Sequence, residues 1–243
     1  MPMDFSLVIP TYNEGLNIKG LCGQLIGALE NLHCGFEIIF VDDNSPDGTW
    51  RVAEALARED KRVRVIRRMG KRGLASAVVS AWALCRGDVI GVIDGDMQHP
   101  AAALEKMLNS IVGCPGVDIV IASRYIAGST VLNRSALKAF KSKLAVLFGR
   151  IFIPEVFKLT TDPLSGYFIL RKKVVEGVKL TPIGYKILLE VLSKGKYEKI
   201  IDMPYAFGER KNGRSKAGLR QSFISLVHFI KLRRSLKPRV IIF

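Results

Sequence analysis

The chain has 243 residues and a mass of 26.9 kDa, 49% hydrophobic and 24% charged, which excludes a disordered chain and fits one sizeable α/β domain with a small appendage. Its four cysteines, Cys22, Cys34, Cys85 and Cys114, form no C-x-x-C pair, so neither a zinc site nor a disulfide framework is indicated and a reducing compartment is expected. Net charge is +15, yet residues 1–120 hold 12 Lys/Arg against 15 Asp/Glu while residues 121–243 hold 25 against 7. The cation excess lies wholly in the second half. It calls for an anionic partner there: nucleic acid, an anionic membrane surface or a phosphorylated substrate.

In chain order, short apolar runs alternate with helical patterns through the first 120 residues, the βαβ rhythm of a doubly wound sheet. Ser6 to Ile9 is the first predicted strand, with 10–14 as the loop at its carboxyl end, and Leu16 to Leu32 is a helix carrying Ile18, Leu21, Leu25 and Leu29 on one face. Phe36 to Val41 is the second strand, and Asp47 is the expected N-cap of a helix through Trp50, Ala53 and Leu56. Val63 to Ile66 is a more exposed strand, Leu74 to Leu84 an Ala-rich helix, and Val89 to Ile93 a strand expected to be buried on both faces of a parallel sheet. Pro100 starts a further helix, and Val117 to Ile121 is the fifth strand.

Asp94-Gly95-Asp96-Met97-Gln98 follows the fourth strand directly. In open α/β sheets the carboxyl edge is where ligands bind, and two hard oxygen donors there suit Mg2+ or Mn2+ holding a phosphate. A D-x-D by itself is a weak signal, because acidic pairs in surface turns are common. The stronger argument is convergence: residues 10–14, 42–43 and 94–98 place polar groups on one sheet edge.

The second half starts at Ser123-Arg124-Tyr125. A basic helix spans Ser135 to Ile151, with Lys138 and Ser142 on one face and Leu137, Phe140, Leu144 and Phe148 on another. Asp162-Pro163-Leu164-Ser165-Gly166 follows, then a helix from Tyr185 and a strand from Lys199 to Pro204. Five cations with two glycines between 210 and 220 describe a loop suited to gripping phosphate. From Gln221 to Leu236 apolar residues interleave with Lys231, Arg233 and Arg234. Such a helix can lie in an anionic bilayer interface or pack on the sheet.

Taken together, Val8 to Glu14, Val41 to Thr49, Asp94 to Pro100 and Asp162 to Gly166 resemble an inverting family 2 glycosyltransferase and, within it, the dolichyl or polyprenyl phosphate mannose synthases. The match runs from residue 5 to about residue 220. It implies a GT-A (Rossmann-like) α/β fold, a mostly parallel sheet flanked by helices, with C-terminal amphipathic interface helices. Residues 1–220 would form the catalytic domain, 1–120 serving nucleotide and metal and 121–220 the acceptor, with 221–243 as a basic membrane-interface segment.

The resemblance also implies GDP-mannose as donor and a polyprenyl (dolichyl) monophosphate as acceptor. Pro10, Tyr12, Glu14, Val41 and Asp43 would hold the guanosine; Asp94, Gly95, Asp96 and Gln98 would surround the diphosphate and a Mg2+ or Mn2+ ligated by Asp96 and Gln98. Arg124, Lys186 and Arg210 match donor-contacting positions, and Lys138 and Ser142 the acceptor-phosphate positions. Asp94, Asp96, Arg210 and Lys216 would carry catalysis, with His99 packed beside the site. Gly95 stands where alanine is usual, and Lys138 where arginine is common, replacing a fork by a point charge.

The expected setting is the cytoplasmic face of a membrane, with any anchor in a segment or partner outside this chain. One rival keeps the fold but uses a UDP-sugar such as UDP-glucose, with a polyprenyl phosphate or sugar acceptor. The other, a basic nucleic-acid-binding module, lacks a recognition motif and the aromatic–cation alternation of a stacking platform.

Overall fold

The structure, a computed structural model, describes residues 4–32, 34–132, 136–210, 212 and 219–235, of which 136–139, 141, 219–223 and 235 are described by backbone alone. The first half gives β1 (Phe5–Thr11), α1 (Gly15–Glu30), β2 (Phe36–Asp42), α2 (Thr49–Glu59), β3 (Val63–Arg67), α3 (Leu74–Trp82), β4 (Val89–Val92), α4 (Ala102–Gly113) and β5 (Val117–Ser123). The second gives β6 (Thr130–Val131), α5 (Ala136–Phe152), α6 (Pro154–Phe157), β7 (Phe168–Arg171), α7 (Ile187–Lys194), β8 (Lys199–Pro204), β9 (Ala206–Phe207) and α8 (Leu219–Ser235).

Seven strands form one sheet in the order β3-β2-β1-β4-β7-β5-β8. The order reverses between β1 and β4, because the chain steps outward through β2 and β3 and then returns to the other side of β1. At such a switch point the flanking loops diverge and leave a crevice. One apolar layer, with Leu21, Leu25, Ala53, Leu104 and Leu108, seats α1, α2 and α4; the other, with Val78, Trp82, Val156, Leu188 and Phe229, seats α3, α6, α7 and α8. Fully buried Leu7, Ile9, Ile38, Phe40 and Ile169 fill the first layer from the sheet side.

Two expectations need correction, and one apolar helix face proves exposed. β4 is buried, but its partner opposite β1 is β7, which runs antiparallel to both β4 and β5; three apolar residues, Phe168, Ile169 and Leu170, are too few for a period to reveal a strand. Asp47 is not the N-cap of α2. That position is Gly48, at φ 80°, although the Asp47 carboxylate still accepts from the Thr49 N–H at 2.9 Å and hydroxyl at 2.6 Å. On α5, Phe140 and Leu144 do not enter the core: they are 62% and 39% exposed, because α5 docks through Gly149 and its neighbours. A β-carbon on Gly149 would fall inside the Phe157 ring, so only glycine allows that close approach.

Candidate active site

Each loop leaving the switch-point strands carries a non-glycine residue in the left-handed region: Asn13 at φ 54° after β1, Asn44 at 54° after β2, and Met97 at 62° after β4. Such residues are uncommon and cluster at functional sites. Pro10 lies in β1 opposite Val41, beyond the point where β4 stops pairing at Val8–Val92, so its missing N–H costs the ladder nothing there. The loops also brace one another. The Glu14 N–H donates to the Thr49 hydroxyl at 2.9 Å, and the Gly15 N–H to Asp47 at 3.1 Å. Asp42 accepts from the Ser45 N–H and hydroxyl and from Thr11.

Asp43, one residue past β2, accepts from Arg68 Nε at 2.6 Å and from the Gly73 N–H at 2.7 Å. The Arg72 guanidinium lies over the Tyr12 ring, 4.6 Å from its centroid. Outboard of these residues a cavity of about 400 Å³ is lined by Asn44, Trp50, Arg51, Arg67 and Arg72. Its rim is cationic.

At the end of β4, Arg210 joins two motifs. Its Nη2 donates to Asp96 Oδ2 at 2.6 Å and its Nη1 to Glu14 Oε1 at 3.2 Å. Asn212 extends the closure by donating to Asn17 of α1 at 3.1 Å. Gln98 donates from Nε2 to the Gly208 carbonyl at 3.0 Å and accepts the Gly208 N–H on its own carbonyl at 2.8 Å. With its amide nitrogen committed to Gly208, the side-chain oxygen is the end that suits a cation. Gly166 packs against Asp94: a β-carbon there would stand 2.6 Å from Oδ2. At Gly95 the added carbon would meet Thr11 Cγ2 at 3.2 Å, a fit that needs a shift of a few tenths of an ångström.

His99 is buried, its Nε2 3.5 Å from Asp94 Oδ2 and its ring among Tyr167, Tyr205 and Phe207. Burial, the largest influence on Asp94, pushes its pKa up, but His99, Lys186 and Arg210 outweigh it and hold the carboxyl below its ordinary range. Asp96 is shifted upward, first by burial and then by the negative charge of Asp94. A site that sets two adjacent carboxylates apart in this way favours a cation between or beside them.

From the second half, Lys186 donates to the Leu164 carbonyl at 2.6 Å, next to Gly166. Arg124 pairs bidentately with Asp162, Nε to Oδ2 at 2.7 Å and Nη2 to Oδ1 at 2.8 Å, so it holds the 162–166 turn rather than touching the D-x-D. Asp202 pins the same turn through Thr160 and Thr161. Ser142 shares a 2.9 Å hydrogen bond with the exposed Tyr125 hydroxyl. The Lys138 side chain and Lys216 lie outside the described residues.

Sequence reasoning missed Arg68. Its signal was positional: Asp42 pairs with Arg67 in the β2–β3 register, which puts the next residue of β3 beside Asp43. It also missed Glu190 of α7, which is buried and binds His228 of α8 at 3.1 Å and Lys194 at 2.7 Å. Lys194 stands at i+4 on the same helix, but no spacing pattern links Glu190 to His228, 38 positions on.

Helices α5 and α8 carry an exposed stripe. Phe140, Leu147 and Ile151 of α5 are 62%, 53% and 62% exposed, and Val227 and Ile230 of α8 are exposed beside them. Lys143, Arg150, Lys231 and Arg234 are exposed on the same two helices. Among the described residues no helix is long and apolar enough to cross a membrane.

The reversed mostly parallel sheet, with its acidic edge at β1, β2 and β4, has the architecture of the GT-A fold. A family model described as Glycosyl transferase family 2 matches residues 6–178, and the chain belongs to that family. It is 44% identical over 232 residues to a dolichol-phosphate mannosyltransferase of Pyrococcus furiosus, covering 96% of this chain and 64% of that protein. The dolichol-phosphate mannosyltransferase of Saccharomyces cerevisiae is 32% identical over 226 residues, with 89% and 82% covered. The chain therefore spans just under two thirds of the Pyrococcus protein. Among solved structures, glucosyl-3-phosphoglycerate synthase of Mycobacterium tuberculosis, in complex with Mn2+, UDP and glucosyl-3-phosphoglycerate, superposes with a TM-score of 0.70 at 18% identity, covering 97% of this chain and 81% of that one.

Proposed function

We propose that this chain transfers mannose from GDP-mannose to a polyprenyl (dolichyl) phosphate, giving polyprenyl phosphate mannose with inversion. The observation that carries the reading is the meeting of three of the motifs and the Arg210 segment at one point: Asp96 and Glu14 share Arg210, Gly166 seats against Asp94, and Gln98 is tied to Gly208, just ahead of Arg210. The two mannosyltransferase relatives favour the mannosyl donor and the lipid phosphate.

Pro10, Tyr12, Glu14, Val41 and Asp43 hold the nucleoside at the β1–β2 ends. Asp94, Gly95, Asp96 and Gln98 face the diphosphate. Among the described residues no three His, Cys, Asp or Glu side chains are grouped to hold a metal, so a Mg2+ or Mn2+ would take Asp96 and the Gln98 oxygen and complete its shell from the diphosphate and water, as small hard cations commonly do. When bound, such an ion offsets the charge that develops on the leaving diphosphate. Arg210, Lys186 and Lys216 add positive charge at the same place.

The acceptor needs no general base. A phosphate monoester has a second pKa of about 6, so it reaches the anomeric carbon already ionised. Consistent with that, His99 is enclosed by aromatic rings and turned to Asp94, where it orients the carboxylate rather than moving a proton. Lys138 and Ser142 receive the lipid phosphate. The apolar stripe of α5 and α8, with its flanking cations, lies on the cytoplasmic face of an anionic bilayer and brings α5 to the phosphate level.

The test is a donor–acceptor matrix: radiolabelled GDP-mannose, UDP-glucose and UDP-N-acetylglucosamine, each with polyprenyl phosphate in vesicles, and the lipid product identified. Mannosyl lipid from GDP-mannose alone is expected. Glucosyl lipid from UDP-glucose in comparable yield would replace this reading with the UDP-sugar one.

A further inference from the structure

We propose that Arg68 is a positioning residue that sets nucleobase specificity, by fixing the Asp43 carboxylate to read guanine. The proposal rests on the GDP-sugar reading above.

Asp43 is 7% exposed, and among the described residues each of its oxygens has one donor: Oδ1 takes Arg68 Nε at 2.6 Å and Oδ2 takes the Gly73 N–H at 2.7 Å. Donors on both oxygens stop the carboxylate from rotating about its own axis. Arg68 is itself held. It is 8% exposed, its Nη1 and Nη2 both reach Ser76 Oγ at 3.2 Å, and Nη2 also reaches the Gly73 carbonyl at 3.2 Å. Its own N–H continues the strand ladder to the Asp42 carbonyl at 2.8 Å. The Asp43 N–H donates to the Thr11 carbonyl at 3.3 Å, so the carboxylate's backbone lies beside the end of β1 and the Tyr12 loop.

An ionised carboxylate has about four lone-pair positions. With one filled on each oxygen, each oxygen keeps a position for a further donor. Guanine offers two adjacent parallel donors, N1–H and the 2-amino group, which match that pair. Adenine places an acceptor, N1, next to its amino group, and uracil flanks a single N–H with two carbonyls. Hypoxanthine keeps N1–H but lacks the amino group, so it isolates the second hydrogen bond. A carboxylate free to turn would lose that discrimination first. Arg68, whose guanidinium is taken up by Asp43, Ser76 and the Gly73 carbonyl, acts through Asp43.

The experiment is calorimetric titration of the full chain with GDP, IDP and UDP in the presence of Mg2+, for wild type, Arg68→Met, Arg68→Lys and Ser76→Ala. Wild type should bind GDP about tenfold or more tighter than IDP, the size of one hydrogen bond to a charged group. Arg68→Met should bring that ratio close to one, Arg68→Lys should retain part of it, and Ser76→Ala, which loosens Arg68 without removing it, should lower it less. A purely structural role for Arg68 weakens GDP and IDP together and leaves the ratio at its wild-type value, which overturns the proposal. If Arg68→Met does not fold, unchanged ratios in Arg68→Lys and Ser76→Ala overturn it equally. Wild type binding UDP as tightly as GDP would instead refute the donor reading, and a wild-type preference for GDP over UDP with no preference over IDP would refute the guanine contact alone.

Discussion

Asp42, Asp43, Asp47 and Asp96 each accept hydrogen bonds from this chain, whereas Phe140, Leu147 and Ile151 on α5 are more than half exposed. The first region is a polar edge that is braced before any ligand arrives. The second is an apolar face that the described residues leave uncovered. Binding a small charged donor rewards preorganisation, because fixed dipoles need not reorganise as charge develops. Holding a lipid needs a surface that water disfavours. Under the proposed function, the first region takes the donor and the second the lipid.

That division can be broken most sharply at Arg210, the residue from the second half that reaches both Glu14 and Asp96. Arg210→Ala should lower kcat for mannosyl transfer by about 10²–10³-fold, as loss of one preorganised charge donor does elsewhere, with an unchanged unfolding curve. A loss confined to the acceptor KM would move Arg210 out of the donor site.

A smaller effect is expected where α8 meets the body. Glu190 is shifted below its ordinary pKa: burial pushes it up, but His228 and Lys194 outweigh that. Its charge therefore contributes stability above the unfolded carboxyl value, about 4.3, and that contribution is lost as pH falls through the depressed folded value. Glu190→Gln should cost about 2 kcal/mol at neutral pH. The deficit should close as pH drops from about 5 to below 4, measured by denaturant unfolding at each pH; a deficit independent of pH would show that packing, not charge, holds α8.

The smallest change should come from the stripe. Leu147→Asp should weaken binding to anionic vesicles by about tenfold, on the order of one apolar side chain withdrawn from the interface, and leave GDP affinity untouched. Equal vesicle binding by the variant would remove α5 from the membrane contact.

Much of the donor edge was legible because strand ends are local. An apolar run followed by Asp94-Gly95-Asp96, or by Asp42-Asp43, places its own carboxylates without knowledge of the rest of the chain. The partners of those carboxylates were not legible in the same way. Arg68 becomes significant only through the β2–β3 register, and Asp162 claims Arg124 across 38 positions. β7 escaped for another reason: four residues inserted antiparallel between β4 and β5 carry no period. On α5, helical spacing distinguished an apolar face from a polar one, but not a buried apolar face from one left for a partner.

The most direct test of the account is mannosyl transfer from radiolabelled GDP-mannose to polyprenyl phosphate by wild type and Asp96→Ala side by side, each with and without a divalent cation, and with folding checked by circular dichroism. The account predicts labelled lipid from wild type only when the cation is present, and none from Asp96→Ala. Lipid product from a folded Asp96→Ala at the wild-type rate would contradict it.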